Sequence, residues 1–178
     1  MKDLRTYLPL VVLWAKKHHN LIHEQGAELN EEGMEMARSV GVAEPERIRI
    51  MLVDEIPFQE DPVVYSLAKN VGMLSGQVMG LTLGHAIYIV KGCQSARLYS
   101  HEFRHVHQYE VLGSIGAFMD VYLEQVMIFG YHQASPNLTD PLMKKYHQAL
   151  DLTPECDTVH KNNEQASLLA RKAKVTSF

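Results

Sequence analysis

Residues 85–112 read HAIYIVKGCQSARLYSHEFRHVHQYEVL, and a change of pattern inside this stretch decides the fold. His85 to Val90 is rich in β-branched and aromatic residues, lies between Gly84 and Gly92, and predicts a strand. From Ser95 the spacing becomes helical and runs to Leu112, stopping at Gly113. Within that helix His101 and His105 stand four residues apart, on one face and about one turn from each other, so both can reach a single metal ion.

Working outward, the pattern predicts a first helix from about Lys2 to His23 and a second from about Glu31 to Ser39, capped by Asn30 and ended by Gly41. Arg47 to Val53 alternates, with Ile48, Ile50 and Leu52 on one side, and reads as a strand. Asp61 followed by Pro62 opens a helix that closes near Gly72, and the passage after it, with Gly76, Gly80 and Gly84, is glycine-rich. Ile115 to Phe129 is a further helix. Asp140-Pro141 opens a short one, and Thr153-Pro154 opens a last one reaching about Lys174. The fold class is α+β, mainly helical, with a small sheet beside the H-E-x-x-H helix.

The 178 residues are expected to form one domain spanning 1–178, because a domain usually takes about 100 to 200 residues. With 46% apolar and 21% charged residues there is enough apolar material to close a core, which excludes a disordered chain. A formal charge of -4 gives no electrostatic reason to expect a nucleic acid as partner. The apolar stretch from Leu8 to Ala15 contains Pro9 and is too short to span a bilayer, so no membrane span is expected. Cys93 and Cys156 make no disulfide framework and no C-x-x-C spacing, which points to a reduced, cytoplasmic chain.

The chemistry rests on His101-Glu-Phe-Arg-His105. The spacing suits Zn2+, and Glu102 lies where its carboxylate can reach a zinc-bound water without becoming a ligand, take its proton and pass it to a leaving amine. The run Gly80-Leu-Thr-Leu-Gly-His-Ala-Ile-Tyr-Ile, followed by His101-Glu-Phe-Arg-His-Val-His-Gln-Tyr-Glu-Val-Leu-Gly113, resembles the small bacterial zinc-metallopeptidase-like domains with an H-E-x-x-H-V-x-Q signature, which belong among the zincins. The resemblance covers about residues 80–131. It implies a zincin core with His101 and His105 as zinc ligands, Glu102 as general base and acid, and a peptide or protein substrate held extended along a strand beside the helix. Residues 85–90 match that strand by position. The competing reading is a non-catalytic, metal-stabilised binding or interaction domain. A third is a module whose histidines bind no metal.

A catalytic zinc normally takes three protein ligands. Glu164 is the preferred third ligand, since Leu168, Leu169 and Ala170 would dock its helix on the core, and it is the nearest counterpart of the Glu-containing third-ligand helix of other zincins. Glu124 is the alternative. It lies 19 residues past His105, and an antiparallel return of the next helix would bring it level with the histidines, at a spacing that resembles the gluzincins. His107 points to roughly the opposite side of its helix. His18, His19 and His23 are expected to face solvent or a partner. Tyr109, Tyr131, His132 and His160 are open alternatives for stabilising an oxyanion.

Overall fold

Pro9 sets where the chain becomes α-helical. Its ring lacks an N–H and is tolerated only in a first turn, so residues Leu4–Tyr7 form a 3-10 turn and α1 runs Leu8–Gln25, in place of one helix starting near Lys2. The computed structural model describes residues 4–75 and 78–129. After α1 come β1 (Ala27–Glu28), α2 (Glu31–Ser39), β2 (Arg49–Val53), α3 (Pro62–Asn70), β3 (Gly80–Leu83), β4 (Ala86–Val90), α4 (Ala96–Leu112) and α5 (Ile115–Phe129). The helices expected after Asp140 and Thr153 lie outside the described residues.

The caps are local and match the sequence. Asn30 accepts the N–H of Gly33 at 2.8 Å, Asp61 accepts those of Val63 and Val64, and Ser95 accepts that of Leu98. Gly113 ends α4 at φ +80°, a left-handed conformation that favours glycine.

The four strands form one mixed sheet in the order β1-β2-β4-β3. β2 and β4 are parallel, with Ile50 opposite Ile87. β3 and β4 are an antiparallel hairpin closed by Gly84 and His85. Gly84 has φ +72°, which the first loop position of such a hairpin requires.

All five residues of β4 are buried, as expected for a central strand covered on both faces. Ala86, Tyr88 and Val90 face a core shared with Trp14, Ala15 and Ile22 of α1 and Val64 and Ala68 of α3. Ile87 and Ile89 face a second core with Ala37 of α2 and Phe103 and Val106 of α4. The sheet is therefore sandwiched between helices, consistent with the α+β class. Among the described residues no helix is long and apolar enough to cross a membrane.

His18 departs from the expectation of an exposed first-helix histidine. It is fully buried, its ring tilted against Trp14 with ring centroids 4.3 Å apart, and its Nδ1 lies 2.9 Å from the Tyr88 hydroxyl. Burial, with the Glu60 carboxylate nearby, pushes the Tyr88 phenol up to about 12, so it keeps its proton at neutral pH. Burial also lowers the His18 pKa from its ordinary 6.5, against the pull of Glu60. The unfolded chain then takes up this proton first. The stability is present above about pH 6.5 and is lost as the pH falls below it. Replacing His18 with Gln should flatten the decline of the thermal midpoint between about pH 7 and about pH 5; an unchanged slope would assign that decline to other groups.

Candidate metal and hydrolytic site

The α4 helix carries its apolar residues Phe103 and Val106 into the second core, which turns His101 and His105 toward the opposite side of the helix. The two rings meet edge to face with centroids 4.7 Å apart, and their Nε2 atoms are 3.2 Å apart. Two nitrogens bound to one tetrahedral zinc at about 2.0–2.1 Å would stand roughly 3.3 Å from each other. The separation of the pair is close to that value.

One turn along, Gln108 Oε1 lies 2.8 Å from His105 Nδ1. An amide oxygen only accepts, so Nδ1 carries the proton and Nε2 keeps its lone pair, the arrangement found for metal-binding histidines held by an outer partner. Burial lowers the pKa of both rings; for His101 the neighbouring His105 adds to it, and for His105 the Gln108 bond opposes it. The net lowering in both rings favours the neutral imidazole that ligates metal.

Glu102 stands about 100° round the helix from His101, turned into the junction with β3, and is 4% exposed. Its Oε2 accepts the Thr82 hydroxyl at 2.6 Å. Its Oε1 lies over Gly80, where an added Cβ would come within 2.5 Å of it. Burial raises the Glu102 pKa, while the Thr82 hydroxyl and His101 oppose that rise.

Glu124 is brought to Arg5, in an exposed ion pair of 3.1 Å, rather than to the histidines. α5 instead presents Phe118, which stacks on Tyr109 at 3.9 Å and lies edge-on to His105 at 6.2 Å. Among the described residues no third His, Cys, Asp or Glu brings a ligand atom within 4.8 Å of both histidine nitrogens. Glu164, Tyr131, His132 and His160 lie outside the described residues.

Tyr109 is buried, and its hydroxyl donates to the Thr82 carbonyl at 3.2 Å, so it holds the strand rather than facing a substrate. The strand at 85–90 is corrected as well. β4 is hydrogen-bonded on both sides and has no free edge to offer an extended peptide; the sheet's edge beside α4 is β3.

A second histidine cluster was not read from the sequence. His85, Glu110 and Glu44 bring ligand atoms within 4.8 Å of one another. Their donor atoms are already committed: Glu110 accepts the N–H groups of Ala43 and Glu44 and pairs with His85 Nε2 at 2.9 Å, while Glu44 pairs with Arg47. We read it as a latch between α4, the β3–β4 turn and the loop before β2. No spacing could have signalled it, because Glu110 is 67 residues from Ala43.

No family model, curated protein or solved structure matches this chain.

Proposed function

We propose that this chain is a zinc-dependent hydrolase of peptide bonds, with His101 and His105 as ligands and Glu102 as general base and acid. The observation that carries the reading is the 3.2 Å approach of the two Nε2 atoms, with Gln108 fixing the His105 tautomer, on the helix that also holds Glu102. Zinc bound there would polarise a scissile carbonyl and lower the pKa of water. Glu102 would take the proton of the attacking water and hand it to the leaving amine.

β3 would align the substrate. In an antiparallel pair, alternate residues turn their N–H and C=O away from the partner strand. Val90 N–H bonds to Met79 C=O, which turns the N–H and C=O of Gly80 to the outer edge, beside Glu102; those of Thr82 turn the same way, with the carbonyl taken by Tyr109. We assign the third ligand to Glu164, since Glu124 is paired with Arg5, and place the protein in the cytoplasm, where its few cysteines stay reduced.

Untagged protein should carry close to one zinc per chain. The variant His101→Ala should carry almost none, Glu164→Ala should lose it as well, and Glu124→Ala should keep it. Absence of zinc from the wild-type protein under all loading conditions would overturn the reading. Bound zinc without cleavage of any peptide would favour a metal-stabilised binding domain.

A further inference from the structure

We infer that Thr82 is a positioning residue for Glu102, holding the carboxylate of the general base in place from the edge strand; this rests on the hydrolase reading above. The Thr82 hydroxyl has one proton and two acceptors within reach, the Glu102 carboxylate at 2.6 Å and the Glu102 carbonyl at 3.2 Å. The shorter contact has the length of a charge-assisted bond, so the proton goes to the carboxylate.

The hydroxyl is itself fixed. Thr82 is 5% exposed, its β-branched side chain has little freedom about χ1, and its carbonyl is held by Tyr109. On the other side of the carboxylate, Gly80 leaves the recess that Oε1 occupies; an added Cβ would also stand 2.8 Å from Cδ. A glutamate has three side-chain torsions to order before it can meet a proton at a defined point. Here the strand has ordered them before any substrate arrives, which is how a site converts binding geometry into rate.

The test compares wild type, Thr82→Val and Thr82→Ser for zinc content, thermal midpoint, and kcat and KM on one quenched fluorescent peptide, with Glu102→Gln as the reference. Valine keeps the shape and removes the hydroxyl. All four should hold zinc, and Thr82→Val should lose about 10- to 100-fold in kcat with KM little changed. Thr82→Ser should recover most of that loss, which a packing role for the Thr methyl would not predict.

Full turnover by zinc-loaded Thr82→Val, with Glu102→Gln inactive, would overturn this inference and leave the hydrolase reading standing. Should the wild type cleave no peptide, the hydrolase reading fails. The hold of Thr82 on Glu102 is then decided by a cycle of thermal midpoints for Thr82→Val, Glu102→Ala and the double variant. A double variant no less stable than the weaker single one supports the hold, and additive shifts overturn it.

Discussion

Replacing Glu102 with Gln should reduce peptide hydrolysis by about 10²- to 10⁴-fold, the usual contribution of a general acid–base group, while zinc content stays at the wild-type level. The contrast matters because the substitution is nearly isosteric. The amide oxygen can still accept from Thr82 at the position now taken by Oε2, so the recess over Gly80 remains filled. What is lost is the capacity to take a proton. The histidines and Gln108 are untouched, so metal should stay bound. His101→Ala makes the complementary change, removing metal and activity together. A Glu102→Gln protein as active as wild type would show that the buried carboxylate serves folding alone, and that another group carries the proton.

The parts of this arrangement that were legible in the sequence are those fixed by neighbours along the chain. Asn30, Asp61 and Ser95 each cap a helix through a bond to a residue two or three positions on, and these helix starts can be read off directly. The pairing of His101 with His105 is of the same kind, as is Gln108, three residues past His105.

The strand β3 was not legible. Gly80-Leu-Thr-Leu83 lies in a glycine-rich passage, and its extended form comes from pairing with β4 rather than from its own propensity. Missing it moved the substrate edge one strand inward, onto residues 85–90. A warning was present, because Ile87, Tyr88, Ile89 and Val90 form an unbroken apolar run, and an alternating pattern would have marked a strand with one open face. The partners of Glu102 are 20 residues or more upstream on that same strand, so its hold was invisible for the same reason.

Removing the latch at Glu110 should give the largest loss of stability among these changes. Its side chain is 11% exposed and accepts bonds from the Ala43 N–H at 2.7 Å, the Glu44 N–H at 3.0 Å and His85 Nε2 at 2.9 Å. Glu110→Ala leaves all three donors without this acceptor. A hydrogen bond to a charged group contributes about 1.5–3 kcal/mol, but the Ala43 and Glu44 amides sit where water can replace the carboxylate in part. A total of about 3 kcal/mol, or about 6–12 °C in thermal midpoint for a chain of this size, is the expected loss. Burial alone would raise the Glu110 pKa, yet the Ala43 N–H, His85 and the Glu44 N–H outweigh it and hold the carboxyl below its ordinary 4.5. The folded state therefore binds this proton less readily than the unfolded chain. The latch's contribution is fully present above about pH 4.5 and is lost as the pH falls through the lower folded value. Wild type and Glu110→Ala should thus differ most near neutrality and converge in acid. Equal gaps at neutral and acid pH would mean that the carboxylate charge is not what holds the loop to α4.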